Sequence, residues 1–259
     1  MIENLKITKI FDNETITHLE EFNATVLNEK YDIKFFLKRD LNENIPEIGW
    51  YSSSFKNQIN LWKDFIKKDS IAIDIGAFDG DTSIPMGVLV GKSGKVLSFE
   101  PGLQFSYTFN LNCELNKNLN INPYNLALME KDGIYEFLYS PEYENGGFKD
   151  KTSIVGNYTR SKFVRGINFI KYFENKINFK DISFIKIDTE GHDMKVVNSL
   201  LPIIDFLRPP IQIEWFPTTD IDISNFVKNF NYKVMDCATG LIYNNLPPQW
   251  TDDLILLPE

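Results

Sequence analysis

The stretch IAIDIGAFDGDTS, residues 71–83, decides the fold. A short apolar strand runs into Asp74. Gly76 and Gly80 follow, with Asp79 and Asp81 on either side of the second glycine. Thr82 stands where a helix cap is expected, ahead of SIPMGVLV and the stop signals Gly91 and Gly94. A strand, a glycine-rich turn and a helix in that order form the first half of a βα unit. Glycine permits positive φ and lets a backbone approach its neighbour or a ligand closely.

Downstream, the same alternation continues. KVLSFEP (95–101) reads as a second strand that ends at Glu100 and is stopped by Pro101. LQFSYTFNLNCELNKN (103–118) has helical character, and INPYNLAL (121–128) is a third strand. GIYEFLYS (133–140) adds a strand that pairs with a loop through PEYENGGFKDKTS. ISFIKIDTEG (182–191) and PIQIEWFP (210–217) are strands four and five, each followed by a helix, at 192–204 and 222–230. YKVMDC (232–237) and DLILLP (253–258) close the series. Strands alternating with helices across short linkers specify an α/β fold with a mainly parallel sheet. No helix separates the last two strands, so an antiparallel strand is expected at that end of the sheet.

Upstream, residues 1–70 read as an N-terminal extension or cap, and residues 71–259 as the main domain. The extension holds a strand in YDIKFFLKRD (31–40) and a helix over 52–69, where Phe55, Ile59, Trp62 and Phe65 recur at helical spacing.

Composition narrows the partners. The 259 residues carry a net charge of −9, and no basic run exceeds Lys67-Lys68. A nucleic-acid surface presents a basic stripe instead, so no nucleic-acid partner is expected. Hydrophobic residues make up 43% and aromatics 14%, enough for a large and bulky core. Cys113 and Cys237 fit neither a zinc spacing nor a disulfide framework. The first residues lack the basic-then-apolar order of a signal peptide. No apolar run approaches the ~20 residues needed to span a bilayer. A cytosolic protein with no membrane partner is the expectation.

The turn at 74–81 is not the dinucleotide fingerprint, because its glycines are spaced G-x-x-x-G rather than G-x-G-x-x-G. Asp79 and Asp81 would also repel a pyrophosphate at the helix start. A cationic ligand suits the turn better. Glu100 lies 20 residues beyond Gly80, where an acid can accept both hydroxyls of a ribose. S-adenosylmethionine (AdoMet) carries a ribose, an ammonium and a sulfonium, and meets these demands.

A second constellation is Lys186-Ile187-Asp188-Thr189-Glu190-Gly191-His192-Asp193, at the carboxyl end of the fourth strand. That edge binds ligands in open α/β sheets. Lys186 and Asp188 share a strand face, and an ammonium in an apolar run needs a buried acidic partner. Asp188, Glu190 and His192 are the catalytic candidates. His192 is read either as a general base or as an exposed residue opening a helix. Glu214, at the end of the fifth strand, could join Asp188 in holding a divalent metal through oxygen, or could instead orient a loop.

In this order, AIDIGAFDGDTS, VLSFEPG, NLALMEKDGIYEF and FIKIDTEGHDMKVV resemble the FkbM family of AdoMet-dependent methyltransferases. The likeness extends over roughly residues 50–258, and its most specific part is K-I-D-x-E-G. It implies a class I methyltransferase, Rossmann-like fold: a seven-stranded sheet with the last strand antiparallel. It implies O-methylation of a hydroxyl, frequently on a sugar or polyketide-type acceptor, with S-adenosylhomocysteine as product. By motif, Asp74, Gly76, Ala77 and Gly80 would shape the AdoMet pocket, Glu100 would hold the ribose, and Asn125 and Ala127 would lie near the adenine. Asp188 and Glu190 would face donor and acceptor. Two positions depart from the pattern: Phe78 replaces a common asparagine, and His192 a common small residue. The segment 140–165, with Tyr143 and Phe148 as exposed aromatics, is expected over the acceptor. The competing readings are an NAD-dependent oxidoreductase and a nucleoside-binding module without chemistry.

Overall fold

A computed structural model of the chain describes residues 2–11, 15–26, 29–40, 60–139, 146–148, 160–251 and 253–259. It separates into two compact units: residues 1–72 with 77–124, and residues 73–76 with 125–259. The helix expected over 52–69 lies largely outside the described residues; what is described of it is one helical turn at 60–62.

The first unit opens with an antiparallel meander of β1 (Ile2–Phe11), β2 (Thr15–Val26) and β3 (Glu29–Asp40). In β3 the alternation of sequence is read directly as burial. Ile33 and Phe35 are buried while Asp32 and Lys34 are exposed, as a strand with one covered face requires. Helix α1 (Ser83–Val90) is buried along its whole length. A Cβ on Gly87 would stand 3.0 Å from the Ile121 side chain, so this glycine lets α1 lie close to its neighbour. Thr82 precedes α1 but makes no side-chain cap bond, contrary to the sequence expectation, and Gly91 ends the helix at φ 72°. Helix α2 (Leu103–Leu115) ends at Asn116, whose side chain is fully buried. That amide accepts from the Lys34 backbone N–H at 3.0 Å and donates to the Lys34 carbonyl at 2.5 Å. One side chain thus supplies β3 with the two bonds a neighbouring strand would offer.

Strands β4 (Ile71–Ile75), β5 (Lys95–Phe99), β6 (Ile121–Tyr124), β11 (Ile182–Ile187), β12 (Ile211–Glu214), β13 (Tyr232–Asp236), β14 (Ile242–Tyr243) and β15 (Asp253–Pro258) make an eight-stranded sheet ordered β14-β13-β15-β12-β11-β4-β5-β6. β5 pairs with β6, and β11 with β12, in parallel. β15 runs antiparallel to both β12 and β13. The last strand is antiparallel, as expected, and lies between two others; the short β14, an eighth strand that the sequence pattern did not predict, is antiparallel to β13 at the sheet's edge.

In the second unit, β7 (Ala127–Leu128), β8 (Gly133–Tyr139), β9 (Gly146–Phe148) and β10 (Arg160–Ile167) form a separate sheet ordered β7-β10-β8-β9. The segment 121–128 is thus not one strand: its first half belongs to the large sheet and its second half to this small one. Ala127, Met129, Phe137, Tyr139, Phe148 and Val164 pack as its core. Helices α3 (Phe169–Phe173), α4 (Asp193–Leu207) and α5 (Asp220–Phe230) complete the unit. Among the described residues, no helix is long and apolar enough to cross a membrane.

Candidate active site

The second unit gathers its acids at the ends of β4, β11 and β12. All six residues of β11 are buried, Lys186 included. An ammonium in such a strand is tolerable only beside an acid. Lys186 Nζ lies 3.1 Å from Asp188 Oδ2 and 3.8 Å from Oδ1 of the fully buried Asp74. The period-two pairing read from sequence is present, and the lysine serves two carboxylates.

Beyond β11 the chain turns sharply. The Asp188 N–H donates to the Ile75 carbonyl at 2.9 Å. A Cβ on Gly76 would stand 1.6 Å from the Asp188 carbonyl oxygen, and Gly76 has φ 82°. Glycine is required here because two backbones meet, which differs from the ligand clearance expected of it. Glu190 has φ 55° and Gly191 φ 91°. A left-handed glutamate costs about 1–2 kcal/mol, so something must hold it. Asp193, the first residue of α4 and 1% exposed, does so. Its carboxylate accepts from the Thr189 N–H at 3.2 Å and from the Gly191 N–H at 3.1 Å.

Asp188, Glu190 and Glu214 each place a carboxylate oxygen so that all three lie within 4.8 Å of one another. Burial, then the Asp188 charge, pushes the Glu190 carboxyl up to about 7. Burial, then the charges of Asp188, Glu190, Asp193 and Asp253, pushes Glu214 up to about 10. Such a trio either shares protons or holds a hard cation. Calcium takes carboxylate oxygens at about 2.3–2.6 Å, so ligands on opposite sides of it lie about 4.6–5.2 Å apart. The trio's spread fits that ion.

His192 is 8% exposed and its ring stands 5.2 Å from that of Phe148. The exposed helix-opening reading of His192 does not hold, and Phe148, expected on the surface, is a core residue of the small sheet. Tyr143 and most of the segment 140–165 lie outside the described residues. Asn125 is exposed. Ala127 is 3% exposed with its methyl in the small sheet's core, so it can offer a ligand little beyond its backbone.

In the first unit, the turn after β4 is fixed by its own backbone. Ala77 N–H donates to the Phe99 carbonyl at 3.0 Å, and Gly80 N–H to the Ala77 carbonyl at 2.7 Å. Gly80 has φ 93°, and a Cβ there would stand 2.6 Å from the Phe109 ring. Asp79 is buried, and its carbonyl accepts from Asn112 at 2.8 Å. The Glu100 carboxylate is 5% exposed and spans the turn's rim. It accepts from the Phe78 N–H at 3.0 Å and from the Gly102 N–H at 2.6 Å, one on each oxygen. A carboxylate oxygen can accept more than one hydrogen bond. Nearby in sequence, both polar atoms of the Gln104 amide are buried with no hydrogen-bond partner among the described residues. Buried amides are normally bonded, and an orphan four residues after Glu100 fits a site built for a polar ligand.

Sequence reasoning missed Glu190 as a partner of Glu214, the bracing role of Asp193, and Gln104. Asp193 carried a signal: an acid in the first turn of a helix, just after a glycine. Gln104 carried none.

A mainly parallel sheet whose last strand is inserted antiparallel between two others, with acids at the carboxyl ends of its strands, is the arrangement of a class I methyltransferase. The methyltransferase FkbM domain matches residues 74–234, and the chain belongs to that family.

No curated protein matches the chain. Among solved structures, an FkbM methyltransferase from Methylobacillus flagellatus has 17% identity and a TM-score of 0.47, over 73% of this chain and 44% of that one. The chain therefore spans less than half the length of that relative. A SAM-dependent O-methyltransferase from Thermotoga maritima has 11% identity and a TM-score of 0.45, over 91% of this chain and 77% of that one. The Aeropyrum pernix fibrillarin, bound to S-adenosyl-L-methionine, has 9% identity and a TM-score of 0.46, over 99% and 98% of the two chains. Likenesses of this size add nothing to the family assignment.

Proposed function

We propose that the chain transfers a methyl group from AdoMet to a hydroxyl of a sugar or another small-molecule acceptor. The observation that carries this reading is the carboxylate trio, in which Glu190 is held near neutrality. A base with a pKa near the working pH both takes a proton readily and is free to take it.

AdoMet supplies a methyl group on a positively charged sulfur. Asp188, anchored by Lys186, places negative charge at the end of β11, which favours that cation. The acceptor oxygen bonds to the methyl carbon as the carbon–sulfur bond breaks, and the hydroxyl proton passes to Glu190. In-line alignment of the two partners supplies much of the rate. Glu100 accepts the ribose hydroxyls. Asp74, Gly76, Ala77 and Gly80 shape the turn on which the cofactor rests, and Asn125 and Ala127 belong to the adenine side. The net charge of −9 supports a small neutral acceptor over a nucleic acid. A cytosolic setting belongs to the same proposal.

Calorimetric titration with AdoMet and with NAD separates this reading from an oxidoreductase. Incubation with AdoMet and a panel of glycosides and hydroxylated small molecules, read by mass for one added methyl group, then separates an enzyme from a binding module. Binding of NAD without AdoMet would overturn the proposal.

A second reading adds a divalent cation on Asp188, Glu190 and Glu214. It is favoured by the spacing of their oxygens, and the cation would lower the acceptor's pKa in place of a protein base.

A further inference from the structure

Glu190 sits in a left-handed conformation that an L-residue rarely adopts, and it is one of the three carboxylates that converge. The backbone N–H groups that bracket it, those of Thr189 and Gly191, both donate to a single carboxylate, that of Asp193. These two hydrogen bonds of Asp193 go to backbone N–H groups rather than to the Glu190 carboxyl. Asp193 is 1% exposed, and an acid buried so fully is costly unless its bonds are needed. The opposite end of the same loop is pressed against Gly76 by the Asp188 carbonyl. The loop is thus fixed at both ends, by backbone contact at Asp188 and by one side chain at Asp193.

We propose that Asp193 is a positioning residue, which sets the reach of the Glu190 carboxylate toward Asp188 and Glu214 by clamping the backbone on either side of it. This rests on the reading of Glu190 as the group that takes the acceptor's proton. Asparagine at 193 keeps the shape but turns an NH2 toward one of the two donors, so one bond is lost. Alanine loses both. The clamp should therefore fail in two grades while α4, which begins at residue 193, still forms.

Two measurements on the full chain test it. The first is amide hydrogen exchange at Thr189 and Gly191, which needs no turnover. Exchange should quicken tenfold or more in D193A, and less in D193N, with the protection of β11 unchanged. Equal exchange in wild type and both variants would overturn the clamp. So would a loss of protection throughout β11, since Asp193 would then be holding the unit as a whole. The second is a double-mutant cycle on methyl transfer using Glu190→Gln. If Asp193 acts through Glu190, D193N lowers kcat in the wild-type background and adds no further loss in E190Q, while AdoMet affinity stays constant. An additive cycle would overturn the positioning role. Should the wild-type chain transfer no methyl group, the functional reading falls, and the exchange data alone decide the clamp.

Discussion

The carbonyl oxygen of Asp188 stands 1.6 Å from the point a Cβ on Gly76 would occupy. Neither atom can yield easily, because both belong to backbone at the ends of buried strands. Gly76→Ala must move one strand end and also force an L-residue to φ 82°. The expected loss is about 3 kcal/mol or more, from the left-handed penalty plus overpacking. For a chain of this length, that lowers Tm by about 6–12 °C, and thermal unfolding followed by circular dichroism checks it. A Tm within two degrees of wild type would show that the close approach is not present in solution.

Lys186 holds two acids, so its removal should hurt more than the removal of either acid. Lys186→Met leaves the fully buried Asp74 without its ammonium. Breaking a buried pair by deleting one partner costs about 3–5 kcal/mol. The expected pattern in urea titrations is a large loss for K186M and partial recovery in K186M/D74N. No recovery in the double variant would mean that the lysine's stem, rather than its charge, is what the core needs.

Stability should fall as pH rises. In the folded chain Glu190 is raised from 4.5 to about 7, Asp193 from 3.8 to about 7, and Glu214 from 4.5 to about 10. Between the unfolded and folded values the folded state holds protons that the unfolded state has released, so each unit of pH in that window favours unfolding. The contribution is complete below about pH 4, is lost through pH 7 for Glu190 and Asp193, and continues to fall toward pH 10 for Glu214. Glu214→Gln should remove one proton's share of the slope across the whole window from pH 4.5 to 10, and flatten the curve between pH 7 and 10, where Glu190 and Asp193 no longer contribute. Tm measured across that range decides the matter.

A calcium ion on Asp188, Glu190 and Glu214 would have to displace those same protons. Its affinity should climb with pH, and E214Q should weaken it at every pH. Isothermal titration with calcium chloride at pH 6 and pH 8.5 reads this directly; an affinity independent of pH would exclude these three residues as its ligands.

Glu100→Gln should weaken AdoMet about tenfold or more, roughly the 1.4 kcal/mol of one charge-assisted hydrogen bond. The variant amide can accept on its oxygen only, so one of the Phe78 and Gly102 N–H groups loses its acceptor as well. Fluorescence titration with AdoMet tests it. Unchanged affinity would remove Glu100 from the cofactor site.

Much of this was legible in the chain. Strand–helix alternation gave the sheet, and the change of pattern at residue 71 marked where it starts. Lys186 and Asp188 announced their pairing by period two, because an ammonium in an apolar run has few ways to be satisfied. What sequence could not show was long-range register. β15 slips between β12 and β13, and no local signal says which two strands will flank a third. The split of 121–128 between two sheets is of the same kind, since both halves look like strand. The meaning of Gly76 was also hidden. A glycine at a turn reads the same whether a ligand or another backbone comes near, and only the partner's coordinates tell them apart.

The placement of β15 carries a consequence for how the chain is made. Residues 253–258 are hydrogen-bonded on both sides, to β12 and to β13, yet a ribosome delivers them after every other strand of the sheet. Until they emerge, β12 and β13 each expose an unsatisfied edge, and edges of this kind recruit other chains. The nascent protein therefore carries an open slot through one sheet until residue 258 has emerged, and closing it joins residues distant in sequence, the slow sort of contact. A chain that stops short of residue 253 is left with that slot for good.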